Sequence, residues 1–331
     1  MRLGLAGGGT DVAPFSDIYG GAILNATISM YAYATIRPTD DGKIVLISPD
    51  KGERYELEAL DRLAIDGKLD LHKGIYNRVV KEFAHKPLSF ELTTWVDAPP
   101  GSGLGTSSTL VVAILGAFTQ WLGLPLGEYD LAHLAYEIER VDLGMAGGKQ
   151  DQYAATFGGV NFMEFDKDKV IVNPLRVKED YLGELAHNLV LYHTETSRLS
   201  SSIIEQQQKN VTAKNERSIE AMLKLKEQAV MMKEALLKGN LDRIGEILAF
   251  GWEHKKKMAN GITNPLIDGM YEKALRCGAT GGKVSGAGGG GFMFFYCPGN
   301  TRNSVIEGLK EFGGQAKRYE FTSKGLRSYC I

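Results

Sequence analysis

Pro99-Pro100-Gly101-Ser102-Gly103-Leu104-Gly105-Thr106-Ser107-Ser108-Thr109 is a loop between two elements of different period. Before it, residues 89–96 (SFELTTWV) alternate apolar and polar, the pattern of a half-buried strand. After it, LVVAILGAFTQWLG reads as a compact apolar helix stopped by Gly123 and Pro125. A strand, a glycine turn and a helix start leave the first helical amides without intrahelical partners. Those amides carry the positive end of the helix dipole, roughly half a unit charge. An anion placed there meets several N–H groups at once, and the alternate glycines keep Cβ atoms out of its way. Thr106, Ser107 and Ser108 add hydroxyls that can donate, or offer an oxygen to a magnesium ion. A helix cap needs only one such residue, and here four hydroxyl residues stand in a row.

Glycine is concentrated at other points of the chain. The 331 residues include 40 glycines, well above the average share of about 7%. They cluster at 7–9, 101–105, 144–148 and 278–291, where backbone must turn tightly or approach something closely. Two familiar phosphate loops do not fit. A Walker A loop needs G-x-x-x-x-G-K-[ST], and no lysine follows Gly105. The run Gly286-Ala287-Gly288-Gly289-Gly290-Gly291 satisfies G-x-G-x-x-G in form. A dinucleotide fingerprint must follow a strand and open a helix, whereas the strand FMFFYC comes after these glycines.

Bulk composition narrows the function classes. The hydrophobic share is 44% and the charged share 24%, ordinary for a globular chain. A net charge of −2 points to neither nucleic acid nor an anionic membrane. The run Lys255-Lys256-Lys257 reads as a solvated helix face, with a phosphate contact as the alternative. Three cysteines without a C-x-x-C suggest reduced thiols and no structural zinc. No apolar stretch approaches the roughly 20 residues of a membrane span. The start MRLGLAGGGTD lacks a signal-peptide core. The cytoplasm is the expected location.

Along the chain, 22–36, 43–48, 159–165, 169–173 and 188–194 read as strands. Residues 128–143 read as a helix. From 199 to 238 the chain reads as long-helical, with Met222, Leu225, Ala229, Met232 and Leu236 as a core stripe. Gly239 stops that helix and Asn240 caps the next, which carries Ile244, Leu248 and Trp252. Pro265 opens a helix to Cys277, a strand follows the last glycine run, 303–312 is helical, and 315–322 is a final strand. This predicts an α+β fold in two domains, 1–186 and 187–331.

Transfer of a phosphoryl group to an alcohol needs a carboxylate oxygen for magnesium and a second carboxylate to orient or accept the hydroxyl proton. In ERVDLGMAGGKQD, Glu139 ends a helix and Asp151 follows the Gly147-Gly148 turn. On spacing alone the pair reads as surface helix charge, with a shared site as the alternative.

Three glycine regions together resemble the ordered motifs of the GHMP kinases, the superfamily of galactokinase, homoserine kinase, mevalonate kinase and phosphomevalonate kinase. They are RLGLAGGGTDVAPF from Arg2, PPGSGLGTSST from Pro99 and GGKVSGAGGGGF from Gly281. The resemblance spans essentially the whole chain. It implies an N-terminal domain like ribosomal protein S5 domain 2 and a ferredoxin-like C-terminal domain. It implies ATP held by Pro100, Gly101, Ser102, Gly103, Leu104, Gly105, Thr106, Ser107 and Ser108, and Mg2+ held by Ser107 and Glu139. Ser108 is adjacent to Ser107 as a second candidate. By the same resemblance Asp151 is the catalytic carboxylate, and Arg2 steadies it and the transferring group.

The form GGGTD, Gly7 to Asp11, and the segment GGAILNATISMYAYATI resemble the heptose-phosphate kinases of that superfamily. The implied reaction is phosphorylation of the anomeric hydroxyl of D-glycero-D-manno-heptose 7-phosphate, for nucleotide-activated heptose and surface glycans such as lipopolysaccharide. Gly8, Gly9, Thr10, Asp11, Gly288 and Gly289 are the expected acceptor contacts, with Lys149 and Arg198 as candidate phosphate clamps. A fucose- or galactose-type kinase, a mevalonate-type kinase, and an ATP- and sugar-binding regulator are the alternatives. A small-molecule partner is expected, with no nucleic acid and no membrane. The oligomeric state stays open, a homodimer being one form.

Overall fold

The computed structural model describes residues 1–196 and 200–331. Its strands form three four-stranded sheets. The first is antiparallel and joins β1 (Arg2–Ala6), β2 (Gly21–Thr27), β7 (Val160–Phe165) and β8 (Val170–Pro174), in that order. Side chains alternate across a strand, so successive residues of β2 serve different cores. Leu24 joins Leu3 and Leu5 under helix α8 (Glu216–Lys238), where Ala229, Met232 and Leu236 close the core. Ile23 turns the other way, with Met163, onto α5 (Gln150–Phe157). Both faces are therefore covered, and every residue of β1 and β2 is buried.

The second sheet runs β3 (Ala32–Pro38), β6 (Phe90–Val96), β4 (Lys43–Ser48), β5 (Glu53–Glu58). Its inner face packs on α2 (Asp70–Val79) and α3 (Thr106–Leu122). The third sheet has the order β10 (Gly281–Val284), β11 (Phe292–Tyr296), β9 (Leu189–His193), β12 (Gln315–Lys317). Between β9 and β10 lie α7 (Ser200–Thr212), α8, α9 (Arg243–Lys255) and α10 (Pro265–Arg276). Helix α11 (Thr301–Leu309) precedes β12. This is the βαββαβ arrangement of a ferredoxin-like unit. Alternation again divides the side chains: Leu191, Phe292 and Phe294 face the shared core, while Val190, Met293 and Phe295 face α10 and α11.

The α+β expectation holds, and so do most of the strands. The stretch 22–36 is interrupted at 28–31, where Ile28 bridges to Phe321 and the chain passes from one sheet to another. The long helical region breaks after Thr212, and Asn215 caps α8 by accepting from Ser218 N at 3.0 Å. The cap expected of Asn240 is absent, since α9 begins at Arg243 without a side-chain cap. Strand β12 ends at Lys317 because the following segment leaves the third sheet. There Thr322 N donates to Thr27 O, and Leu326 N to Thr156 O. The chain's last residues thus lie against the first half. Among the described residues no helix is long and apolar enough to cross a membrane.

Candidate active site

Loop 99–105 carries three glycines with a left-handed backbone, Gly101, Gly103 and Gly105, at φ 75°, 76° and 75°. L-residues reach this region only at a cost, so the alternation of glycine sets the shape of the turn. The first hydrogen bond closing α3 runs from Thr109 N to Gly105 O. The amides of Thr106, Ser107 and Ser108 precede it and are left for another acceptor. The last glycine run supports this loop from behind. Ser285 Oγ donates to Gly103 O at 2.8 Å, and Phe292 N donates to Ser102 O at 3.0 Å. A side chain on Gly103 would overlap the Ser285 carbonyl. The run joins the antiparallel strands β10 and β11, so it opens no helix and cannot act as a dinucleotide loop.

Asp151 lies in the first turn of α5 and is brought over the same loop. Its Oδ1 accepts from Arg2 Nε at 2.7 Å, and Arg2 Nη1 donates to Gly103 O at 2.6 Å. A Cβ on Gly105 would stand 3.1 Å from the Asp151 carboxyl carbon. The guanidinium therefore ties the carboxylate to the anion loop. Arg2 is nearly inaccessible, while the Asp151 side chain keeps 20% exposure.

Glu139 sits in a π-helical turn, Glu137–Asp142, that continues α4 (Glu128–Tyr136). It is fully buried. Its Oε2 accepts from Ser108 Oγ at 2.6 Å and from Gln152 Nε2 at 2.7 Å. Its Oε1 accepts no hydrogen bond, although Arg140 Nη1 lies 3.3 Å away. The hydroxyl that meets Glu139 is Ser108's. One residue earlier, Ser107 is turned about 100° round the helix, and among the described residues no hydrogen bond joins it to Glu139. The buried Glu139 carboxylate, with the Ser108 hydroxyl beside it and an Oε1 that accepts no hydrogen bond, suits a magnesium ion that takes one or two protein oxygens and fills the rest of its shell with phosphate and water. Among the described residues no cluster of three His, Cys, Asp or Glu forms an all-protein cage.

Asp11 is buried, and its Oδ2 accepts from Gln150 N at 3.0 Å. Burial raises its pKa above the ordinary carboxylate value. Gly148 has to lack a side chain, because a Cβ there would overlap the Asp11 carboxylate. Thr10 is not available to a ligand. Its hydroxyl is fully buried among Gly7 O, Ala22 O and Ala22 N, and closes the loop on itself. Lys149 does not serve as a clamp beside Asp151: its ammonium points to Asp166 O at 2.9 Å, Lys167 O at 3.2 Å and Asp17 at 3.4 Å. Gly289 N donates to Ile262 O at 2.9 Å, and Gly288 packs on the same residue. The structure thus sets both glycines against the Ile262 segment. Arg198 lies outside the described residues.

Other groups were not expected. Lys255 is 3% exposed, not a solvated helix residue, and its ammonium lies 3.5 Å from Gly8 O. Burial pushes its pKa down to about 8, with Asp11 opposing the shift. Lys283 is also buried and donates to Gly4 O at 2.8 Å. Gln207 Nε2 donates to Gly9 O at 2.7 Å, and Gln228 Oε1 accepts from Gly7 N at 3.2 Å. All four come from the second half; Lys255, Gln207 and Gln228 hold the first glycine loop, and Lys283 holds the strand before it. The sequence carried one signal for Lys255. It extends the apolar stripe Ile244, Leu248, Trp252 by one helical step, where a lysine is out of place.

A cavity of about 650 Å³ opens between α2 and the end of the π-turn. Its lining includes Gly74, Asn77 and Arg78 of α2, and Asp142 and Leu143, three and four residues beyond Glu139.

Comparison with known proteins agrees across the whole length. Residues 70–159 match the family model of the GHMP kinases N terminal domain, and 232–315 that of the GHMP kinases C terminal domain. A D-glycero-alpha-D-manno-heptose 7-phosphate kinase of Campylobacter jejuni is 49% identical over 332 residues, covering 100% of this chain and 97% of that protein. The crystal structure of a D-glycero-D-manno-heptose 1-phosphate kinase from Bacteriodes thetaiotaomicron has a TM-score of 0.84 at 45% identity, covering 100% and 98% of the two chains. Lactococcus lactis galactokinase, solved with galactose, has a TM-score of 0.74 at 21% identity over 96% and 93%, a likeness of fold.

Proposed function

The chain belongs to the GHMP kinases, and from that premise we propose that it is an ATP-dependent sugar-phosphate kinase acting on the anomeric hydroxyl of D-glycero-D-manno-heptose 7-phosphate. The observation that carries the transfer step is the Asp151 carboxylate, paired to Arg2 and held over Gly105 at the anion loop. The acceptor follows from the 49% identity to the heptose 7-phosphate kinase.

In the proposed reaction the triphosphate lies along 100–108, against the amides of Thr106, Ser107 and Ser108. The nucleoside fills the cavity beside Asn77 and Leu143, whose size suits a small ligand. Glu139, with Ser108 or Ser107, would hold Mg2+, which would supply positive charge to the triphosphate. The acceptor oxygen bonds to the γ-phosphorus, the bond to the β-bridging oxygen breaks and ADP leaves. Asp151 takes the hydroxyl proton. Arg2 keeps that carboxylate in place and balances its charge, so the chain contributes mostly position and electrostatics. Gly9 and Asp11 border the acceptor. We divide the chain at 186/187, the first part holding nucleotide and the second closing over the acceptor, and place the reaction in the cytoplasm, where ATP is available.

A coupled ADP-release assay tests this. The panel is heptose 7-phosphate, heptose 1-phosphate, mannose, galactose, fucose and mevalonate, because two relatives carry names that differ in the phosphorylated position. Turnover with heptose 7-phosphate is expected. Asp151→Asn should lower kcat by about 10²–10⁴-fold while ATP affinity stays within about threefold. Turnover confined to another acceptor would discard the heptose assignment, and unchanged kcat in the variant would remove Asp151 from the mechanism.

A further inference from the structure

Two lysines from the second half converge on one point of the first glycine loop. Lys255 closes α9 and Lys283 lies in β10. A Cβ built on Gly8 would stand 3.7 Å from the Lys283 nitrogen and 3.8 Å from the Lys255 nitrogen. The position over Gly8 is thus flanked by two lysine side-chain nitrogens. Lys283 has one firm bond, to Gly4 O at 2.8 Å. Among the described residues Lys255 has a single long one, to Gly8 O at 3.5 Å. An ammonium carries three donors, so the Lys255 charge is buried with most of its hydrogen-bonding capacity unused. Buried charges are ordinarily paired.

The neighbours offer the two lysines little negative charge. Asp151 is committed to Arg2. Burial pushes Asp11 toward its neutral form, and it lowers the pKa of both lysines, that of Lys283 well below its ordinary value. An anion beside the two nitrogens would hold both in the charged form.

We infer that Lys255 and Lys283 form, over Gly8, a binding site for an anionic group of the acceptor, a phosphate ester several bonds from the hydroxyl that is phosphorylated. This rests on the acceptor reading above. In that reading the transferring phosphoryl group lies at the anion loop beside Asp151. Lys283 bonds instead to Gly4 O in β1, and Lys255 to Gly8 O in the following loop that leads to Asp11. Two donors on one phosphate give charge-assisted hydrogen bonds, and the site would select a phosphorylated sugar over the free one.

The test compares wild type with Lys255→Met and Gly8→Ala, using ADP release with heptose 7-phosphate and with unphosphorylated heptose. Methionine replaces the lysine stem without its charge. Gly8 does not have a left-handed backbone, and an added methyl meets its neighbours at ordinary contact distance, so the fold tolerates alanine while the space between the ammonium groups is filled. In both variants KM for heptose 7-phosphate should rise about 10- to 100-fold. In Lys255→Met the values of kcat, KM for ATP and KM for the unphosphorylated sugar should stay within about threefold, and Lys255→Arg should recover part of the loss. Unchanged KM for heptose 7-phosphate in both variants, or a fall in the kcat of Lys255→Met shared by both acceptors, overturns the inference. If wild type fails to turn over heptose 7-phosphate, the acceptor reading has failed. The site is then read by titrating inorganic phosphate into protein whose nucleotide site is filled with a non-hydrolysable ATP analogue and Mg2+. A rise in Tm in wild type that Lys255→Met lacks supports the anion site, and equal responses overturn it.

Discussion

Breaking the Arg2–Asp151 pair tests the electrostatic frame of the site directly. The charged atoms are 2.7 Å apart, and the side chains are 5% and 20% exposed. With charge centres about 4 Å apart and an effective dielectric of about 20, the attraction is about 4 kcal/mol. Partial water access to Asp151 reduces this, and a fully exposed pair would contribute only about 0.2–1 kcal/mol. An intermediate coupling of about 2 kcal/mol is therefore expected. Removing one partner leaves the other charge poorly solvated, so Arg2→Met and Asp151→Ala should each cost about 2–4 kcal/mol. Arg2→Met should cost about 1 kcal/mol more, because it also orphans Gly103 O, which accepts from Nη1 at 2.6 Å. The double variant should cost little more than the worse single one. Urea unfolding of all four proteins measures this, provided m is unchanged across the set. A coupling below about 0.5 kcal/mol would mean the two side chains act independently, and Arg2 could no longer be said to position the carboxylate. The losses in kcat/KM should be non-additive in the same sense.

Gly103→Ala should destabilise by about 2–3 kcal/mol in a thermal melt, since it adds a collision with Ser285 O to the left-handed strain. Gly123→Ala, with φ 63° and open space around it, should cost only about 1 kcal/mol. Ser108→Ala removes a donor from buried Glu139 and should cost about 1–3 kcal/mol and raise the Mg2+ concentration needed for turnover. Ser107→Ala should leave stability within about 0.5 kcal/mol, and a Mg2+ effect confined to it would make Ser107 the ligand. Stability should also depend on pH through Lys255, which loses its proton near pH 8 when folded and near 10.5 when unfolded. Between these values the unfolded chain binds the extra proton, so stability rises with pH, by up to about 1.4 kcal/mol per pH unit. Below pH 8 the buried charge destabilises throughout. In Lys255→Met this part of the rise should disappear from melts taken from pH 7 to 9.5, and identical slopes in the two proteins would contradict it.

Much of the molecule was legible in local pattern. Gly101, Gly103 and Gly105 announced left-handed turns because no other residue takes that backbone cheaply. The two-residue period of 89–96 announced β6, and the stripe from Met222 to Leu236 announced a buried helix face. The ordered glycine motifs carried the family and with it the fold. Local pattern was silent on what depends on distant neighbours. Strand β1 is too short and too interrupted by Gly4 to show a strand pattern, and its pairing with β2 and burial between α8 and α5 make it a strand. Ser107 and Ser108 are equivalent on paper, and helix phase relative to Glu139 separates them. Lys149 next to Asp151 looked like a clamp, yet its chain turns toward Asp166 and Asp17. Lys255 looked like a surface charge, yet it meets Gly8 from 247 positions away. The sequence by itself determined backbone conformation and periodicity, which are properties of a residue and its near neighbours. Only the tertiary structure decided which charges are buried and whom they face, because solvation and Coulomb energy depend on distances in space that the chain order does not contain.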